Sequence, residues 1–262
     1  MALTSVDVSY RSFKVWQRNR DVFMHMWRAE TLWPFFEPFV VFLGIGLGLG
    51  TFVELASGED YIQFITPGVI AAFAMWAAIA EGGWGSYNRM SWQKTYDAMI
   101  ATPVSLDDVI TGEVIWAASK GVFSTAAIVI VTLILTPFWD MIQSPLVVMA
   151  FPTALLAGLM FGAMALLATS FVTSVSQLNY FVSLIIIPMF WVGGVFFPPD
   201  ELSSEIQAFA WFLPLSHVVN LQRGWVTGDL EAAMVVDVIW IVVVTAVLYR
   251  AVLWSMRRRL IK

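Results

Sequence analysis

Six long apolar runs alternate with polar stretches along the chain and predict six membrane-spanning helices. A helix needs about 20 mainly apolar residues to cross the hydrocarbon layer, and each run approaches that length. The pattern therefore predicts an all-α polytopic membrane protein with a single transmembrane domain over residues 1–262. The predicted spans are Phe35–Phe52, Pro67–Trp84, Val114–Leu135, Leu146–Phe171, Leu178–Phe197 and Met234–Trp254.

Basic residues are concentrated on one side of this six-span arrangement. Twelve of the fourteen Lys and Arg residues lie before span 1, between spans 2 and 3, or at the C-terminal end, whereas the opposite loops are acidic apart from Arg223. Because basic loops stay in the cytoplasm, both termini are predicted to be cytoplasmic. For Arg223 we expect an ion pair with Asp229, the alternative being contact with an anionic headgroup.

Composition agrees with the membrane class. The chain is 59% hydrophobic and 13% charged, with a mean hydropathy of +0.78, whereas soluble domains carry about 25% charged residues. It contains no Cys, which excludes disulfides and thiolate metal sites. The first residues lack an apolar core, so no cleavable signal is expected.

Residues 10–33 are too polar to span the membrane. Phe13, Trp16, Phe23 and Trp27 recur at helical spacing, with basic residues on the other faces. This predicts an amphipathic helix in the cytoplasmic headgroup layer, ending in a turn at Pro34. The alternative is a positively charged flank of span 1.

Residues 91–102 predict a short cytoplasmic helix. Trp92, Tyr96, Met99 and Ile100 share one face, and Pro103 ends the helix. Ser105 and Asp108 then resemble a capping signal for the next helix. The apolar face favours contact with a protein or the membrane surface, although an ordinary interfacial loop has the same spacing.

Two further segments suggest unusual backbone. Residues 199–222 predict a helical hairpin that dips into the outer leaflet, with Pro214 as the break and Ser216 capping a second helix over His217–Leu221; a surface-lying loop is the alternative. The glycines of GIGLGLG, Gly44 to Gly50, predict close helix packing within the chain or between subunits.

Several chemistries have no sequence signature in this chain. The GxxxxGK[ST], HExxH and GxSxG patterns do not occur, so no ATPase or hydrolase site is predicted. Glu37, Glu81 and Lys120 lie near the cytoplasmic ends of spans and are expected to snorkel or to pair with one another. A secondary carrier predicts midplane charges and an internal repeat, and a membrane enzyme predicts a cluster of polar groups; neither is found.

Three stretches together resemble the ABC-2 family of exporter permeases, over nearly the whole chain. They are YIQFITPGVIA, KTYDAMIATPVSLDDVITGEV, and PMFWVGGVFFPPDEL followed by FLPLSHVVNLQRG. The similarity is greatest to the branch of NodJ-type lipo-oligosaccharide exporters. The resemblance implies a permease of the bacterial inner membrane that works as two copies with two separate ATPase subunits. It implies that those subunits bind ATP and Mg²⁺, and that this chain binds no cofactor and no nucleic acid.

The resemblance also implies the functional residues. Residues 91–102 would be the coupling helix that inserts into the ATPase subunit. Its contacts would be Trp92, Lys94, Tyr96, Asp97, Met99 and Ile100, with Tyr96, Met99 and Ile100 as an apolar knob. A kink at Pro188 is expected in span 5, whose aromatic face suits a lipo-oligosaccharide, a polysaccharide or a hydrophobic drug; an aromatic belt at the membrane interface is the alternative. The candidate substrate path comprises Tyr180, Leu184, Ile187, Phe190 and Trp191.

Overall fold

Ten α-helices run through the part of the chain that the computed structural model describes, residues 6–53, 55, 58–198 and 202–260, which contains no β-strand. Short π-helical turns extend several of them, and a 3₁₀ turn over Pro145–Met149 precedes the fifth. The helices are α1 (Arg11–Val41), α2 (Tyr61–Ala80), α3 (Thr95–Ile100), α4 (Leu106–Trp139), α5 (Ala150–Phe171), α6 (Val175–Phe181), α7 (Ile187–Val192), α8 (Ser204–Trp211), α9 (Pro214–Thr227) and α10 (Met234–Leu260).

Six helical segments among the described residues are long and apolar enough to cross a membrane, which confirms the predicted fold class and a multi-pass membrane protein. Several are longer than the predicted spans because polar residues extend the helices beyond the apolar runs. The segments are Arg11–Leu49, Tyr61–Trp92, Leu106–Trp139, Pro145–Phe171, Val175–Val192 and Met234–Leu260.

Helix α1 is continuous where a turn was predicted. It passes through Pro34 and Pro38 and joins π-helical residues up to Leu49 without a break. The predicted turn at Pro34 is therefore wrong. Each proline removes one backbone hydrogen bond, whereas a turn would expose several backbone groups at the edge of an apolar layer.

The face of α1 that packs against α4 includes only part of the predicted apolar face. Trp16 donates from Nε1 to the hydroxyl of Ser119 at 2.9 Å, and Phe23 packs edge-on against Phe123 of α4 at 5.4 Å. Ser12, Val15 and Asn19 are buried there, whereas Phe13 and Trp27 are about half exposed. Gly112 of α4 allows this approach, since a Cβ at that position would lie 2.6 Å from the Cβ of Val15. The side of α1 that is buried thus depends on the shape of α4 at Gly112. The sequence of α1 alone carries no information about that shape.

The core of the bundle is α2, which packs against α4, α5 and α9. Small residues bring these helices together: a Cβ on Gly158 of α5 would lie 2.6 Å from the Cα of Ala118, and one on Gly82 would lie 2.8 Å from the carbonyl oxygen of Gly162. Between membrane helices, such close approach replaces the hydrophobic effect as a source of stability.

The glycine run divides into two faces. A Cβ on Gly46 would lie 2.8 Å from Ile62 of α2, so this face packs within the chain, whereas nothing lies within 4 Å of a Cβ on Gly44. The run forms a π-helix over Phe42–Leu49, which is consistent with the freedom of its glycine backbone.

Helices α8 and α9 form the predicted hairpin from residue 202 onwards; residues 199–201 lie outside the described residues. Pro214 begins α9 in place of the predicted Ser216 cap, because proline fits the first helical position, and α9 continues to Thr227. His217 of α9 is buried, and its Nδ1 lies 2.6 Å from Oδ1 of Asp237 on α10.

Candidate functional site

A short π-helical extension of α2 leads directly into the predicted coupling segment. Residues Asn88–Trp92 form the last such turn, and Lys94 then adopts a left-handed backbone with φ 55° and ψ 26° before α3 begins. This conformation is uncommon for a residue other than glycine. It reverses the chain sharply, so that α3 lies beside the start of α4.

Tyr96 of α3 points into the protein and does not form part of a surface knob. Its exposed fraction is 0%, and it packs with Tyr87 and Met90 of the α2 extension and with Val109 and Ile110 of α4. The prediction of an exposed knob that includes Tyr96 is wrong for this residue, because its side chain is buried between α4 and the α2 extension.

The remaining predicted coupling residues form the outer face of this segment. Trp92 is 68% exposed and Ile100 is 36% exposed, Lys94 and Asp97 are also exposed, and Met99 is partly buried. The outer face is thus mixed in character, with two apolar side chains flanking an ammonium and a carboxylate.

The hydroxyl group of Tyr96 is held in its neutral form. Burial raises the pKa of Tyr96 well above its usual range, and the nearby Glu113 carboxylate raises it further. Both causes act in the same direction, because a phenolate would be poorly solvated and repelled by the carboxylate. Tyr96 therefore acts as a packed, uncharged anchor for α3.

A buried ionic cluster lies next to this anchor. Arg89 from the α2 extension donates from Nε to Oε1 of Glu113 at 3.0 Å, and its Nη1 lies 2.7 Å from Oε1 of Glu81. Glu113 of α4 has an exposed fraction of 0%. A charge in such a position is stable only when paired and hydrogen-bonded.

The carboxylate of Glu113 accepts hydrogen bonds from two other helical elements, α1 and the α2 extension. Asn19 of α1 donates to Oε1 at 3.1 Å, and Ser86 donates to Oε2 at 2.9 Å. Arg89 binds both oxygens. The cluster therefore joins α1, the α2 extension and α4 beside Tyr96.

Sequence reasoning missed this cluster, although a signal was present. In the sequence, Arg89 is one of the basic residues between predicted spans 2 and 3, and Glu113 is the last polar residue before span 3. Neither position indicates that the two side chains pair. Glu81 and Lys120 were expected to snorkel or pair with each other; instead, Glu81 pairs with Arg89, and Nζ of Lys120 lies 2.7 Å from Oε2 of Glu30. Matching the acidic residues near the cytoplasmic ends of the spans with the basic residues at the same depth would have suggested these pairs, because charged groups in such positions usually pair.

The capping signal at the start of α4 is confirmed. The Ser105 hydroxyl accepts a hydrogen bond from the backbone of Asp108 at 3.0 Å, and the Asp108 carboxylate accepts one from the backbone of Ser105 at 3.2 Å. The same carboxylate accepts from the backbone of Ser9 at 2.6 Å. Arg257 of α10 donates from Nε to Asp107 at 2.8 Å. Ser9 and Arg257 thus meet at the start of α4, beside the predicted coupling segment.

The candidate substrate path on span 5 lies at the periphery of the described chain. Tyr180, Leu184 and Trp191 are at least half exposed, and Ile187 is 39% exposed. Phe190 turns inward and packs edge-on against Phe196 at 5.1 Å. Phe190 thus faces the interior while its ring still contacts Trp191 at 5.9 Å, and the other four residues share an open apolar face.

A kink was predicted at Pro188, and the structure shows a π-helix just before this residue. Residues Val182–Ile186 are π-helical and join α6 to α7 just before the proline. Proline cannot donate a backbone hydrogen bond, and a wider turn before it accommodates that loss.

Arg223 of α9 is bound to backbone at the end of the bundle opposite the coupling segment. Its guanidinium lies 4.3 Å from the centre of the Phe64 ring, and it donates to the carbonyl oxygens of Phe64 and Gly194 at 3.4 and 3.3 Å. These contacts join α9 to α2 and to the end of span 5.

A bundle of six apolar helical segments, with a pair of short helices at one end and a short anchored helix at the other, defines a multi-pass α-helical membrane protein. The chain belongs to the ABC-2 type transporter family, whose model matches residues 13–225.

Similar proteins carry more specific names. The chain is 33% identical to Nodulation protein J of Rhizobium leguminosarum bv. trifolii, over 82% of this chain and 80% of that protein. It is 31% identical to Nodulation protein J of Rhizobium leguminosarum bv. viciae, over 95% of this chain and 94% of that protein. It is 22% identical to the inner membrane transport permease YadH of Escherichia coli (strain K12), over 94% and 93% of the two chains.

Proposed function

We propose that this chain is the transmembrane subunit of an ATP-driven exporter that moves an amphipathic substrate out across the bacterial inner membrane. Two copies of the chain would assemble with two copies of a separate ATPase subunit, which would bind ATP and Mg²⁺. The substrate that the similarity favours is a lipo-oligosaccharide. A polysaccharide and a hydrophobic drug are the alternative substrates.

The observation that carries this proposal is the construction of the coupling segment. Its outer face is exposed at Trp92, Asp97 and Ile100, while Tyr96 fixes it to the bundle beside the Arg89–Glu113 pair. A short helix that is anchored on one side and open on the other fits a transmission element between a soluble partner and membrane helices. The face combines apolar and charged side chains, as partner surfaces commonly do.

Transmission would follow the contacts of the anchor. Force applied to the outer face of α3 would act on Tyr96, which packs against α4 and the α2 extension. Arg89 and Glu113 would carry the same movement to α1 through Asn19. The exposed face of Tyr180, Leu184, Ile187 and Trp191 would then meet substrate or the second copy.

Co-purification with the ATPase subunits encoded in the same genome tests this function. The variant Asp97→Lys/Ile100→Asp alters the exposed coupling face and should abolish the complex while leaving the fold intact. The matched control Glu231→Lys/Leu230→Asp makes the same changes at exposed positions in the loop before α10 and should leave it unchanged. Equal ATPase recovery with both variants would refute the coupling role.

The orientation has its own test, because the chain contains no Cys. Single variants Ala98→Cys and Ala232→Cys replace exposed residues. A membrane-impermeant maleimide should label Ala232→Cys in intact spheroplasts and label Ala98→Cys only after lysis. The reverse pattern would place the coupling segment outside the cell and exclude the proposed function.

A further inference from the structure

A groove opens between α1, α2 and α4, away from the coupling face. Its volume is about 710 Å³, within the ~300–1,000 Å³ typical of small-molecule sites. Trp33 of α1 and Phe73 and Trp76 of α2 form its aromatic walls, and Glu30, Glu37 and Lys120 supply much of its charge. We call it the α1–α2 groove.

The charged groups of this groove do not balance. Lys120 is neutralised by Glu30 at 2.7 Å, and Glu81, which also lines the groove, pairs with Arg89 at 2.7 Å. For the carboxyl group of Glu37, no Lys or Arg partner is found within the described ranges. The groove therefore has one acidic group without a cation.

The position of Glu37 makes this imbalance significant. Glu37 lies within the apolar segment Arg11–Leu49 and is half-buried. Charged groups inside such segments normally pair with an opposite charge or face a functional cavity.

We propose that the α1–α2 groove binds the cationic head of an amphipathic organic molecule. Glu37 would neutralise the positive charge, and Trp33 and Trp76 would contact it through their ring faces, which attract cations. The apolar remainder of the molecule would lie along Phe73. This inference adds one requirement to the amphipathic substrate of the proposed exporter, namely a cationic head. It rests on the proposed function for the movement of the ligand. Binding itself requires no ATPase.

Binding of tetraphenylphosphonium to the full chain in lipid nanodiscs tests the proposal, with empty nanodiscs as the measure of partitioning into lipid. Equilibrium dialysis should show saturable binding that Glu37→Gln weakens about tenfold and Glu37→Asp largely retains. The control Glu231→Gln removes an exposed carboxylate elsewhere in the chain and should leave the affinity unchanged. Tetraphenylborate has nearly the same shape and the opposite charge, and it should not compete.

A second variant covers the possibility that Glu37→Gln alters the fold. Trp33 is 63% exposed, so Trp33→Ala should preserve thermal stability and weaken tetraphenylphosphonium binding several-fold. The proposal is overturned by absence of saturable binding, by equal affinity of Glu37→Gln and wild type, or by equal binding of tetraphenylborate. It is also overturned if a neutral chitin oligosaccharide binds in a Glu37-dependent manner and the cation does not. Because no ATPase is present, these outcomes do not depend on the export function.

Discussion

Replacing Arg89 by leucine should destabilise the protein strongly, because it leaves Glu113 buried without its cation. Arg89 binds both oxygens of Glu113 and also pairs with Glu81. Among the residues that the structure describes, only the neutral donors of Asn19 and Ser86 would remain on Glu113. Removing one partner of a buried ion pair costs about 3–5 kcal/mol, so we expect Arg89→Leu to lower the free energy of unfolding by that amount.

The chain offers a matched control for this prediction. Arg20 pairs with Asp21 at 2.6 Å, but their side chains are 42% and 58% exposed. Such surface pairs contribute about 0–1 kcal/mol, so Arg20→Leu should have little effect. Unfolding by sodium dodecyl sulfate in mixed micelles, followed by tryptophan fluorescence, measures both variants.

A double variant separates the ion pair from simple loss of packing. Arg89→Leu/Glu113→Leu removes the fully buried carboxylate of Glu113 together with its partner, so that only the less buried Glu81 loses its cation. The double variant should therefore lose less stability than Arg89→Leu alone. The prediction is refuted if Arg89→Leu lowers the free energy of unfolding no more than Arg20→Leu does. It is also refuted if the loss in the double variant equals the sum of the losses caused by Arg89→Leu and Glu113→Leu separately.

Three other predictions follow from the same contacts. Gly112→Ala should loosen the packing of α1, because its Cβ would lie 2.6 Å from that of Val15, whereas Gly44→Ala meets nothing within 4 Å; thermal melting should fall for the first variant alone. Tyr96→Phe should remove an alkaline loss of stability: the unfolded tyrosine ionises near pH 10, whereas burial raises the pKa in the folded state, so wild-type stability should fall as pH rises above about 10. Ser105→Ala removes the hydroxyl that accepts from Asp108 and should cost about 0.5–2 kcal/mol in denaturant unfolding. The packing prediction is contradicted if Gly112→Ala leaves the melting temperature unchanged. The alkaline prediction is contradicted if Tyr96→Phe loses stability above about pH 10 as the wild type does. The capping prediction is contradicted if Ser105→Ala keeps full stability.

Membrane-spanning helices were predictable because the bilayer imposes a length and a polarity on each one. The span Met234–Trp254 was placed with its start at the observed residue, and Leu146–Phe171 within one residue at each end. The cap of α4 was predictable for a similar reason, since Ser105 and Asp108 satisfy backbone groups three residues away. Signals of this kind are local, and they do not depend on which helices become neighbours.

The contacts that define the candidate site were not local. Arg89 and Glu113 are 24 residues apart, and Asn19 is 94 residues from Glu113. The burial of Tyr96 also depends on residues distant in sequence. The apolar spacing within residues 91–102 did not show whether the face that carries Tyr96 is exposed or buried. The burial depends on a cavity that α4 and the α2 extension form together.

By itself, the sequence determined the number of spans, the clustering of basic residues, the polar segment over residues 91–102 and the helix break at Pro214, because each depends on composition or on neighbours along the chain. The tertiary structure decided which side of α3 is open, that α1 continues through Pro34, and that Glu37 lacks a cationic partner within the described residues. The physical reason is that burial and charge neutralisation are properties of assembled helices, and small residues such as Gly112 set how closely those helices meet.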